Sequence, residues 1–247
     1  MENTSYIALS RQTALWRQMD VVANNIANMN TPAYKGEHMV FTEYLARSRS
    51  ADSAFPDTLS YPMDLGSYRD TATGPMETTG NPLDLAITGE GYFEIETDFG
   101  RYYTRNGRFM LNQDGMVVTT EGHPVLTREG TPVFIAPNEK TISIAKDGSI
   151  STETGPVGQL RLVTFEDEQA MRRVQAGLYD AQDQEPQDVE AANVQQGAVE
   201  GSTVEPVVEM SRLIELQRAY ESIQKMIETE GERQRNVIKT LSGASDA

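Results

Sequence analysis

The sequence predicts an α+β chain: terminal N- and C-helices that combine into one coiled-coil element, with an antiparallel β-rich domain inserted between them. Three observations carry this. In residues 5–30, Ala8, Leu15, Met19, Val22, Ile26 and Met29 recur at steps of three, four or seven. In residues 205–241, Leu213, Leu216, Tyr220, Ile223 and Ile227 alternate steps of three and four, a spacing resumed at Val237 and Leu241. A period of about 3.5 residues marks helices that pack along a seam. The middle of the chain reads instead as short strands punctuated by glycine turns.

The first helix is expected to begin near Asn3–Ser5, residue types that cap well. It should stop by Thr31, because Pro32 disfavours helical geometry before it and cannot continue the ladder. This gives an N-terminal segment over 1–36. Residues 37–79 are poorly periodic, with Pro56, Pro62 and Pro75 and single apolar residues such as Phe41, Leu45, Phe55 and Leu59. They read as an extended arm without a core of its own.

The β-rich domain is placed at 80–165. Leu83, Leu85 and Ile87 alternate at period two, and Gly89-Glu90-Gly91 supplies a turn before Tyr92. Further turns are expected at Asn106-Gly107, Asp114-Gly115, Glu121-Gly122, Glu129-Gly130 and Asp147-Gly148. Asn-Gly and Asp-Gly are the stronger signals, since both residues tolerate positive φ. Residues 166–203, acidic and Gln-rich from Glu166-Asp167-Glu168 to Glu190, are expected to be a solvated linker or the end of this domain. The C-terminal helix occupies 204–247 and opens at Glu205-Pro206, with a local break expected near Gly231.

Composition excludes several functions. The formal net charge of −16 leaves nothing to neutralise phosphates, so nucleic acid is not expected as a partner. The absence of cysteine removes disulfides, thiolate metal sites and cysteine nucleophiles. The start lacks the basic and apolar regions of a cleavable secretory signal, and no run approaches the ~18 apolar residues of a membrane span.

His38 and His123 are far apart and in no ligand spacing, so no metal is expected. No phosphate-binding loop or nucleophile elbow is present; no cofactor and no small-molecule substrate are expected. Glycoside hydrolysis would need paired carboxylates, and Glu94, Glu96, Asp98 and Asp114 lie in the β region. In so acidic a chain these read as strand-face and turn residues. A polysaccharide hydrolase using Glu94 and Asp114, and an adhesin acting through its β surface, are the competing readings.

The helical stripes point to assembly. Two helices cannot close a bundle, so other copies or partners must supply the missing faces. The candidate interface comprises Leu15, Met19, Val22 and Ile26 against Leu213, Leu216, Tyr220, Ile223 and Ile227. Asn24, Asn25 and Asn28 lie beside that seam, either on a solvated face or as amides that bond across subunits and fix register.

Four segments carry a resemblance. "ANNIANMNTPAYKG" at 23–36 resembles the N-terminal motif of the flagellar rod, hook and hook-associated axial proteins. "TGNPLDLAITGEGYFEI" at 79–95 and "YTRNGRFMLNQDGMVVTTEGHPVL" at 103–126 resemble their central β signature. "GSTVEPVVEMSRLIELQRAYES" at 201–222 is similar to their C-terminal motif. The length and opening look most like the proximal-rod branch, ahead of the distal-rod branch.

The resemblance implies an inner coiled-coil domain facing a central channel, with the β domain outside it. It implies passage through the flagellar type III export apparatus, and helical polymerisation with copies of itself and other rod proteins in the periplasmic rod of the basal body. No catalytic activity is implied. Family members usually have glycine where Ala33 stands. If that glycine takes positive φ, the turn here is expected to adopt another conformation.

Overall fold

A computed structural model describes residues 2–48, 57–136, 139, 141–174, 177–189 and 193–243. Phe55, Pro56 and Glu190, named above, lie outside them. The fold is α+β and divides into two units. A helical unit holds residues up to 27, 37–68 and from 205 onward, and a β-rich unit holds 28–36 and 69–204.

In the helical unit, α1 (Glu2–Ala27) and α2 (Pro206–Gly243) pack on each other. Pro206 opens α2, where a missing N–H leaves no hydrogen bond unmade. The expected break at Gly231 does not occur, and α2 runs through it. Local side-chain bonds support this polar stretch: Arg233 Nη2 lies 2.6 Å from Glu230 Oε1, and Gln224 donates to Glu228 at 3.3 Å. The Arg233 guanidinium draws the Glu230 carboxyl down to a pKa of about 2.

The segment expected to be an extended arm forms β1 (Glu37–Ser48) and β2 (Asp57–Arg69), which pair as a two-stranded sheet. Pairing satisfies the backbone polar groups of a stretch too poor in apolar residues to build a core.

The β-rich unit is built around β5 (Tyr92–Thr97) and β6 (Gly100–Thr104), an antiparallel hairpin in register from Phe93↔Thr104 to Thr97↔Gly100. β12 (Leu162–Thr164) pairs with β5, and β14 (Leu178–Asp180) pairs with β6. β13 (Arg172–Arg173) and β15 (Gln187–Asp188) complete the order β13-β14-β6-β5-β12-β15. The described residues of 166–203 therefore form the end of the β-rich unit, the second of the two expectations, rather than a solvated linker. They supply edge strands and buried side chains including Met171, Tyr179, Val194 and Val199.

Alternation along β5 sends Phe93 and Ile95 into one core, with Leu85, Phe109, Val125 and Leu162. Tyr92 enters a second, with Tyr103, Phe165 and Tyr179. The rings of Phe93 and Phe109 meet edge to face at 5.2 Å. Burial pushes the Tyr92 phenol far above its ordinary pKa, with the Glu168 carboxylate adding to the rise.

β3 (Met76–Thr78) pairs with β17 (Ala198–Glu200), and β4 (Leu85–Ile87) with β16 (Val194–Gln196). These pairings close the unit where the chain enters and leaves it.

The glycine turns divide into two kinds. Gly115 joins β7 (Phe109–Leu111) to β8 (Val117–Thr119) at a φ of 83°, the conformation expected of Asp-Gly. Gly107 does not take positive φ; it is required by close approach. Its carbonyl accepts from Leu85 N at 2.9 Å, and a Cβ there would stand 1.6 Å from the Leu85 oxygen.

Ala33 corrects the expectation about its turn. It takes the left-handed conformation itself, at a φ of 55°. Its N–H donates to Glu200 O at 2.8 Å and its side chain is buried, so packing and a hydrogen bond hold a geometry that an L-residue otherwise disfavours.

Two substitutions test these positions by urea unfolding. Gly107→Ala destabilises the β-rich unit by about 4 kcal/mol or more, since backbone must move on both sides of the clash. Ala33→Gly stabilises it by about 0.5–1 kcal/mol, the relief at φ exceeding the loss of one methyl contact.

Candidate assembly interface

The helical unit brings the predicted seam together only in part. Val22 is 4% exposed, whereas Leu15, Met19, Ile26, Leu213, Leu216, Tyr220, Ile223 and Ile227 are all half-buried. Val22 and Leu216 line one cavity of about 510 Å³, shared with Val21, Met39, His38 and Arg212. Val237 is 42% exposed.

A second apolar stripe runs along each helix. On α1 it is Tyr6, Leu9 and Trp16, and on α2 it is Val207, Met210 and Ile214, all at least half exposed except Met210 at 49%. These residues repeat at the same steps of three, four and seven as the seam. Reading a single stripe per helix missed them; the signal is the same period displaced around the axis.

The three asparagines have separate fates. Asn25 is buried, and its amide completes the start of β1: Glu37 N donates to Asn25 Oδ1 at 3.0 Å, and Asn25 Nδ2 donates to Glu37 O at 2.9 Å. This reciprocal pair imitates one rung of a β-ladder. The same nitrogen reaches Glu209 Oε2 on α2 at 3.4 Å. Glu209, itself buried, is paired with Arg212 at 2.8 Å, and the Arg212 guanidinium stands 3.3 Å from His38 Nδ1. Asn25 thus ties α1, α2 and the ribbon within one chain. Exposed Asn24 donates to Asp20 O along its own helix at 3.0 Å, and Asn28 Oδ1 accepts from Thr31 Oγ1 at 3.2 Å.

The carboxylates of the hydrolase reading are dispersed. Glu94 is wholly buried, with Arg161 Nε at 2.9 Å and Arg101 Nη1 at 3.3 Å, an ion pair inside the sheet rather than a group facing a cleft. Asp114 is exposed in the β7–β8 turn. His123 sits on a separate loop from His38. Among the described residues, no three His, Asp or Glu side chains gather as a metal site.

The interface geometry predicts unequal costs along the asparagine run. Asn25→Ala costs about 1–3 kcal/mol, because it strands the backbone groups of Glu37. Asn25→Asp is expected to be at least as damaging, since it sets a carboxylate against Glu209. Asn24→Ala is expected to be nearly neutral. Thermal unfolding followed by helical circular dichroism separates the three.

Comparison with known proteins matches these segments to one family. Residues 6–35 match the family described as flagella basal body rod protein. Residues 86–152 match the flagellar hook protein FlgE/F/G D1 domain, and residues 195–240 match the flagellar basal body rod FlgEFG protein C-terminal family. Flagellar basal-body rod protein FlgF of Caulobacter vibrioides is 40% identical over 98% of this chain and 98% of its own length. FlgF of Mesorhizobium japonicum is 34% identical over 99% of this chain and all of its own length. Flagellar basal-body rod protein FlgG of Bacillus subtilis is 31% identical over 94% and 96%. The chain therefore belongs to the flagellar basal-body rod protein family, as a structural and non-enzymatic subunit of the basal-body rod.

Proposed function

We propose that this chain is a proximal-rod subunit that polymerises helically through α1 and α2, building the periplasmic wall of the export channel and part of the shaft that transmits torque. The observation that carries this reading is the amount of apolar surface that α1 and α2 leave in water. Tyr6, Leu9, Trp16, Val207 and Ile214 are 50–75% exposed, while most of the seam is covered incompletely.

Full burial of a large apolar side chain is worth about 1.5–3 kcal/mol. Several such side chains per helix, buried against neighbouring copies and other rod proteins, add packing stability that the free helices lack. An isolated helix of either sequence is marginal without that contact. The free subunit therefore keeps the parts of its helices remote from the Asn25–Glu209 contact loose, a state suited to passage through the flagellar type III export apparatus, and orders them on joining the rod. The inner domain of this proposal comprises the terminal segments 1–36 and 204–247 less the residues that pack with the β-rich unit. Assignment to the proximal rod is supported by the opening of the sequence.

The test is Leu216→Asp in a strain lacking the native chain. The charge would enter the α1–α2 cavity and the proposed contact with neighbours. Expected are unchanged unfolding of the β-rich unit in the purified subunit, no completed rod in isolated basal bodies, and loss of motility. Normal motility with this substitution would contradict the proposal.

A further inference from the structure

The chain crosses between its two units after residues 27, 36, 68 and 204. On the β-rich side, the flanking segments are fastened to one another. Ala33 N donates to Glu200 O at 2.8 Å, and Thr203 N donates to Tyr34 O at 3.0 Å. Gly36 N donates to Thr203 Oγ1 at 2.9 Å, and Asp70 N donates to Gly36 O at 2.8 Å. Arg69 and Gln169 exchange two bonds, at 2.9 and 2.7 Å.

Glu200 stands at the centre of this stitching. Its carboxylate is wholly buried. Oε1 accepts from Lys35 Nζ at 2.6 Å and from Gly74 N at 2.8 Å, and Oε2 accepts from Arg105 Nε at 2.9 Å. Lys35 also donates to Ala72 O. Arg105 spends its two remaining nitrogens on Gly91 O and Gly89 O, at 2.9 and 2.8 Å. Lys35 is held below its ordinary pKa by burial, and Glu200 pulls it back up. Two buried cations thus share one buried anion, and every partner is far from Glu200 in sequence.

We infer that Glu200 is a positioning residue that binds residues 28–36, 69–75 and 200–204 into a collar folded with the β-rich unit in the free subunit, so that ordering of the helices on assembly begins at the collar edge. Two physical points carry this. The ion pairs are long-range, so the collar forms only once the β-rich unit has folded. The cluster is also buried, so loss of the anion strands two cations, and the collar closes completely or opens. Nine of the fourteen residues of the N-terminal motif at 23–36, from Asn28 to Gly36, therefore belong to the preformed part of the molecule, although they are continuous with α1. The inference uses the rod reading only for what happens after the collar is in place.

Hydrogen exchange on the purified full chain at low concentration tests it. In the unsubstituted subunit, residues 28–36 and 71–75 are expected to exchange as slowly as 92–119, while 6–20 and 215–240 exchange fast. Glu200→Gln should speed exchange in 28–36 and 71–75 by at least about tenfold while 92–119 stays protected. Should Glu200→Gln unfold the unit, Lys35→Met supplies the milder change. It loosens 28–36 and leaves Arg105 paired with Glu200.

Adding Lys35→Met to Glu200→Gln should restore part of the protection by removing the surplus cation, a rescue that a purely steric role would not give. Residues 28–36 exchanging as fast as 6–20 in the unsubstituted subunit would overturn the inference, as would 28–36 unchanged in Glu200→Gln. These readings are independent of motility. A failed rod proposal with a sound collar would appear as slow exchange at 28–36 together with unimpaired swimming of Leu216→Asp.

Discussion

Two helices packed on each other can each hide one stripe, and in this chain each carries two. That surplus is the constraint from which the rest of the structure follows. The seam facing inward is covered only as far as a pair of helices permits, leaving Leu15, Met19, Tyr220 and Ile227 partly exposed. The outward stripes of Leu9 and Trp16 and of Val207 and Ile214 are left half or more exposed. A structural subunit of a polymer has use for such a surface, because its neighbours complete the bundle.

The β-rich unit is made on the opposite principle. Its strands are short, but β5 is buried on both faces, and its charges are paired inside: Glu94 with Arg161 and Arg101, Glu200 with Lys35 and Arg105. Buried pairs of this kind contribute little net stability, but removing one partner is costly. They penalise incorrect packing more than they strengthen correct packing. In the proposed assembly, a unit built this way folds first and the helical unit gains order from neighbouring subunits.

Much of this was legible in the sequence where a physical period exists. The steps of three and four placed both helices, and period two with glycine punctuation placed the β-rich core from Leu85 to Leu162. What the sequence hid was long-range. Residues 166–200 read as linker because their composition is acidic, yet Tyr179, Val194 and Val199 are buried at intervals too sparse to form a pattern. The 37–79 arm hid its pairing because a two-stranded ribbon needs no apolar face. Asn25 resembled its neighbours Asn24 and Asn28, and only the position of Glu37 distinguishes it. Gly107 belongs to an Asn-Gly pair that reads as a turn, but its role is to admit the Leu85 carbonyl. Ala33 shows the reverse case, a left-handed residue without the glycine that would have announced it.

The chain holds one tryptophan, Trp16, on the outward stripe of α1 at 54% exposure. Its fluorescence reports directly on whether the helices find their partners outside the molecule. The account predicts long-wavelength emission, readily quenched by iodide, from the dilute subunit, and a shift to shorter wavelength with loss of quenching on incorporation into the rod. Emission already short in wavelength and protected in the dilute subunit, and unchanged on assembly, would contradict it.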